Sequence, residues 1–292
     1  MLRSIGWFVV GSLLVVPGLQ AQQGGGRIPA EPGDSIPATG GRKLARSVRV
    51  RTGAIQVDGS LDDEAWALAP AITDFTQKEP VEGAAPTEQM EVRFVYDDDA
   101  LYIGARMHSA DPLAIQAPLG RRDQAGDVTE QILISLDTFL DRRTSYTFGV
   151  SASGVRIDRY SASDSEGGDS GFDPVWRAST RVDDQGWTAE LWIPFTQLRF
   201  NDRPVQDWGL NVRRFIPTLE EETYWVMVPR TEVGWASRFG DLQGIEGVRP
   251  SSRSRSARRR GMRLGTLPIP SMTARTSSAG WDWTSRWAWG RT

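Results

Sequence analysis

The sequence predicts an all-β domain, an antiparallel β-sandwich of jelly-roll type, across residues 44–250. Three observations predict it. Apolar and polar residues alternate at period two in one segment after another, which is the signature of half-buried strands. The segments are short and are divided by Gly, Asp and Asn turns. No long amphipathic helix comes between them, as an α/β fold would require. The span from Leu44 to Pro250 holds about 207 residues, enough for one sizeable core in a single domain.

The first run, "VRVRTGAIQV" at 48–57, ends on the Asp58-Gly59 turn. Ser60 followed by Asp63 makes a capping-box-like start, so a short helix is expected near residues 61–68, laying Trp66 and Leu68 over one end of the sandwich. In "MEVRFVY" the residues Met90, Val92, Phe94 and Tyr96 share a face; in "LYIGARM" Leu101, Ile103, Ala105 and Met107 do, and the two runs form a hairpin around "DDDA". "EQILISL" follows, then "SYTFGV" with Tyr146, Phe148 and Val150 in phase, then "VRIDRY" after the Ser153-Gly154 turn. "VWRASTRV", "GWTAELWI", "WGLNVRRFI" and "TYWVMV" bring the total to at least nine strands. Trp66, Trp176, Trp187, Trp208 and Trp225 read as core.

Arg3 precedes an apolar run from Ile5 to Val16, broken by Pro17-Gly18 and closed by Ala21, so residues 1–21 read as a secretory signal peptide. That run is too short to cross a bilayer as a helix. The expected destination is the periplasm, the outer membrane or the extracellular space. Residues 22–43 are a Gly/Pro-rich flexible leader. Residues 251–292 hold nine Arg against the single Asp282, a net +8, which leaves −11 for residues 1–250 out of −3 for the whole chain. This basic Arg/Ser/Trp-rich tail reads either as disordered or as a frameshifted remnant ahead of a missing segment. So acidic a domain is a poor partner for nucleic acid.

The chain has no cysteine, which excludes disulfides, thiolate nucleophiles, Cys-ligated metals and a lipoprotein anchor. His108 is its one histidine, which excludes a multi-His zinc site, and a Ser-His-Asp triad could use only this residue. Nothing selects a pair of carboxylates for glycoside hydrolysis. The chain reads as non-catalytic.

"IQVDGSLDDEAW", "EVRFVYDDDALYIGARM", "ISLDTFLDRRTSYTFGV", "GWTAELWIPFTQLRF" and "SRFGDLQGI" occur in that order over about residues 46–250. In these linked motifs the chain resembles carbohydrate-binding modules of family 9. More closely, it is similar to the module that begins bacterial secreted proteins whose second half is an outer-membrane β-barrel. The resemblance implies a β-sandwich, a structural role for the Asp-Gly…Asp…Trp opening, and a carbohydrate partner in polysaccharide catabolism. It also implies a sugar end gripped between two tryptophans, with calcium nearby. Trp235 falls about where one clamp tryptophan is expected. The other should precede "ILISLD", where this chain reads "RRDQAGDVTE", and no aromatic residue occurs between Tyr102 and Phe139. Gly149 stands where the sugar-binding members carry a hydrogen-bonding residue. The alternative is a structural periplasmic or plug-like module that has lost the sugar clamp and associates with the outer membrane through a missing C-terminal barrel.

A sugar site needs outward aromatics flanked by hydrogen-bonding groups. In "GWTAELWI" the inward set is Trp187, Ala189, Leu191 and Ile193, which sends Trp192 outward with Glu190 and Thr188. Trp192 also reads as a packing residue of that second face. Trp235 lies in a Gly-containing loop near Glu232 and Arg238. The candidate carbohydrate-binding residues are therefore Trp235, Trp192, Glu190 and Arg238. "DSEGGDSGFD" offers Asp164, Glu166, Asp169 and Asp173 as hard oxygen ligands for calcium, with a solvated acidic loop as the alternative.

Overall fold

The computed structural model describes residues 41–124, 126 and 128–250. The readings made for the signal peptide, for nearly all of the leader and for the tail lie outside the described residues.

Among the described residues the regular secondary structure is strand, broken only by short 3-10 turns. The strands are β1 (Leu44–Arg49), β2 (Thr76–Glu79), β3 (Met90–Tyr96), β4 (Ala100–His108), β5 (Gln131–Asp137), β6 (Ser145–Ser151), β7 (Arg156–Ser161), β8 (Arg177–Asp183), β9 (Gly186–Pro194), β10 (Val205–Ile216), β11 (Glu221–Tyr224) and β12 (Gly240–Glu246). One sheet runs β7-β6-β5-β10-β12, with β11 and then β2 beside the far half of β10; the other runs β3-β4-β9-β8. The expected sandwich is present. No helix among the described residues is long and apolar enough to cross a membrane.

Two pairings differ from the expected antiparallel pattern. Leu44–Arg46 pair in parallel with Asp241–Gln243 of β12, and Ser47–Arg49 pair in parallel with Phe94–Tyr96 of β3. β1 is thus the seam of the sandwich, half in each sheet. Period-two alternation fixes which face a residue shows but not which way its neighbour runs.

The core lies where the two sheets face each other. Val92, Phe94, Ile103, Met107, Trp187 and Leu191 meet Ile132, Ile134, Phe148, Trp208 and Val212, all fully buried. Trp176 and Trp225 join them, as the sequence predicts.

Trp66 is 4% exposed and, as expected, packs. It does so on the outer face of the second sheet, against Val95 and Tyr102, rather than over an end of the sandwich. Gly104 of β4 makes the room: a Cβ there would sit 2.9 Å from Leu61 and 3.0 Å from the Trp66 ring. The expected helix is a five-residue 3-10 turn, Glu64–Leu68. The capping-box reading fails, because the Asp63 carboxylate accepts from Gln56 N instead, at 2.8 Å. Leu68 is 63% exposed. At three residues per turn it lies two-thirds of a turn from Trp66, so one face cannot bury both.

Candidate functional site

The outer face of the first sheet carries a polar cleft that the strand register builds. Ile132, Ile134 and Leu136 of β5 point into the core, which turns Leu133 and Ser135 outward. The same alternation turns out Thr147 on β6, Arg159 on β7, Asn211 and Arg213 on β10, and Glu222 and Tyr224 on β11. Arg159 lies opposite Thr147, Thr147 opposite Ser135, and Ser135 opposite Asn211, so four strands contribute one continuous polar row. Beside it, Leu133, Arg213 and Tyr224 form a second row. Glu166 and Gly167, from the loop after β7, and Trp235, from the loop before β12, complete a cavity of about 330 Å³.

Within the cleft the Ser135 and Thr147 hydroxyls are 2.9 Å apart. Asn211 serves the backbone, donating to Val226 O at 2.9 Å and accepting from Val226 N at 2.9 Å. Arg213 pairs with Glu222. The Tyr224 hydroxyl lies 2.9 Å from Glu222 Oε2 and 3.0 Å from Glu166 Oε1. Burial, reinforced by those two carboxylates against the pull of Arg213, holds the phenol far above its ordinary pKa, so it remains a donor.

The Trp235 wall is fixed by Asp164. Its carboxylate accepts from Trp235 N at 2.7 Å, from Ser237 N at 2.9 Å and from Ser237 Oγ at 2.6 Å. Burial pushes the Asp164 carboxyl up, but the Ser237 hydroxyl and the backbone N–H groups outweigh it and leave the pKa below the ordinary range.

The residues expected from sequence are dispersed. Trp235 does line the cleft, but it is 6% exposed and meets Phe239 and Tyr224 edge-on, with ring centroids 5.1 and 6.1 Å away. It is part of a wall, not an open platform, because two neighbouring rings close it in. Trp192 lies on the other sheet, capped by the Arg177 guanidinium at 4.1 Å and packed with the Trp66 layer, so the packing reading of it is the right one. Glu190 is fully buried and holds backbone, accepting from Asp58 N at 2.9 Å and Gly59 N at 2.8 Å, so no oxygen of it faces a ligand. Arg238 pairs with Glu232 at 2.8 Å and takes no part in lining the cleft.

The four acidic residues expected to bind calcium are likewise drawn to different partners. Asp164 holds the Trp235 turn, Glu166 meets Tyr224, Asp169 accepts from Gly171 N at 2.8 Å, and Asp173 pairs with Arg122. Among the described residues no group of three His, Cys, Asp or Glu side chains is arranged to hold a metal ion. His108 sits half-exposed at the end of β4, 3.7 Å from Glu91.

Arg159, Thr147, Ser135, Asn211, Arg213, Glu222 and Tyr224 were not foreseen as site residues. Their signal was available in phase: once Tyr146, Phe148 and Val150 are assigned inward, Thr147 must face out, and Asn211 and Arg213 follow likewise in "WGLNVRRFI".

No family model and no curated protein matches the chain. Solved structures do. One is a family 9 carbohydrate-binding module from Caldicellulosiruptor kristjanssonii in complex with cellotriose, at 15% identity and TM-score 0.46 over 76% of this chain and 98% of that one. Another is a module of that family and organism in complex with glucose, at 15% identity and TM-score 0.44 over 71% and 97%. A protein from Bacteroides uniformis superposes at TM-score 0.49 and 10% identity over 68% and 98%.

Proposed function

We propose that the cleft binds carbohydrate without transforming it, as the recognition module of an exported protein concerned with polysaccharide. The observation that carries this reading is the row Arg159, Thr147, Ser135 and Asn211, laid across four strands beneath a wall of Tyr224 and Trp235. A sugar presents hydroxyls that both donate and accept around a ring with apolar faces. Hydroxyls, a guanidinium and a carboxylate beside an aromatic wall match that chemistry. The ordered sequence motifs support the same ligand class, and the N-terminal sequence pattern supports export. A binding role is favoured over hydrolysis because both cleft carboxylates, Glu166 and Glu222, engage the same phenol. Neither is left to stand across the sugar from the other as a glycosidase pair would.

One observation favours a second reading. Trp235 is closed in by Phe239 and Tyr224, which is what a structural module that kept the fold and lost its sugar clamp would show. Calorimetric titration of the chain with neutral and acidic oligosaccharides tests both. Saturable binding that weakens in Ser135→Ala/Thr147→Val supports the carbohydrate reading; no heat from any glycan at millimolar concentration leaves the structural one.

A further inference from the structure

The charged groups of the cleft are unequally partnered. Arg213 is paired with Glu222, its guanidinium 5.9 and 6.0 Å from the Phe215 and Tyr224 ring centroids. Glu166 is engaged by the Tyr224 hydroxyl at the outer edge. Arg159 is half-buried and its backbone pairs with β6, but among the described residues its guanidinium makes no ion pair or hydrogen bond. The Nε of Arg213 is also buried without an acceptor. A partly desolvated guanidinium with no counter-charge is an unfavourable arrangement that a ligand anion relieves, and its planar fork fits a carboxylate through two parallel hydrogen bonds.

We propose that the cleft selects sugars that carry a carboxylate, hexuronic acids and their oligomers, with Arg159 pairing the ligand carboxylate; this rests on the carbohydrate reading above. Thr147 is the cross-strand neighbour of Arg159 and Ser135 comes next in the row. With strands spaced about 4.8 Å apart, a carboxylate seated on Arg159 leaves the sugar ring over those two hydroxyls. A monoanion suits the cleft better than a phosphate dianion: Arg159 is the one lining guanidinium without an ion pair, and Glu166 in the same cavity repels a second negative charge.

The test is calorimetric titration of the full chain, at low ionic strength, with glucuronate and galacturonate oligomers and with their neutral glucose and galactose counterparts. The acidic ligands should bind about tenfold or more tightly than the neutral ones, and added salt should erode the difference. In Arg159→Gln the ratio should collapse to within about threefold, and Arg159→Lys should restore part of it. Circular dichroism confirms that each variant is folded. Equal or tighter binding of the neutral sugars, or an acidic preference that survives in Arg159→Gln, overturns the selection while leaving carbohydrate binding standing. If neither class binds, both proposals fall.

Discussion

The indole N–H of Trp66 donates to Glu190 Oε1 at 3.0 Å, joining residues 124 apart in the chain. The other oxygen of Glu190 accepts from Asp58 N and Gly59 N, at 2.9 and 2.8 Å. One buried carboxylate in the middle of β9 therefore ties down the whole "VDGSLDDEAW" segment. Glu190→Ala orphans three donors, two of them buried, and should cost about 3 kcal/mol in urea unfolding, while Glu190→Gln, which keeps an acceptor for Trp66, should cost about half as much.

A second buried carboxylate acts between the sheets. Glu130 Oε1 accepts from Arg214 Nε at 3.0 Å and Nη2 at 2.6 Å, and from Trp187 Nε1 at 2.8 Å. The remaining Arg214 donors serve Gln89 O at 3.1 Å and His108 O at 2.8 Å. Arg214→Ala should lose about 3–5 kcal/mol because it strands a buried charge. Arg214→Lys should recover only part of this, since an ammonium cannot reproduce the fork. Denaturant midpoints at constant m-value measure both.

The depressed pKa of Asp164 gives a pH signature. A carboxylate with a lowered folded pKa contributes stability that is complete above its unfolded pKa, about 3.9, and is lost as pH falls through the folded value. The backbone amide shifts of Trp235 and Ser237 should therefore stay flat from neutral pH down to about 4 and move together below it. In Asp164→Asn the wall should already be displaced at neutral pH.

Ser135 and Thr147 bond to each other across the cleft floor. Removing both hydroxyls as Ser135→Ala/Thr147→Val leaves no orphaned partner, so the melting temperature should change little. Sugar affinity should nevertheless fall about three- to tenfold for each ligand hydrogen bond lost. A large loss of stability without a change in affinity would assign the pair to the fold instead.

The strands were legible because each of the long ones keeps its apolar phase; β3, β4, β6 and β9 lie where the alternation puts them. β2 and β12 were missed, and the run expected at 48–57 is strand only as far as Arg49, where β1 ends. "TQKE" has no apolar phase, and "GDLQGIE" is interrupted by Gly244 at φ +93°. The cleft was harder. Aromatic content drew attention to Trp192 and Trp235, whereas the cleft depends on register between strands far apart in sequence, and one strand's alternation says nothing of its neighbour's offset. Glu190 illustrates the limit, since its phase correctly put it on the outer face but could not reveal that residues 58–66 cover it.

β1 meets its partner β12 only after almost the whole domain has been made, since Leu44 pairs with Asp241. The sandwich has no seam until that late segment arrives, and pairing so remote in sequence makes folding slow. A chain emerging from the ribosome is therefore expected to lack this seam until the last strand of the domain has been made.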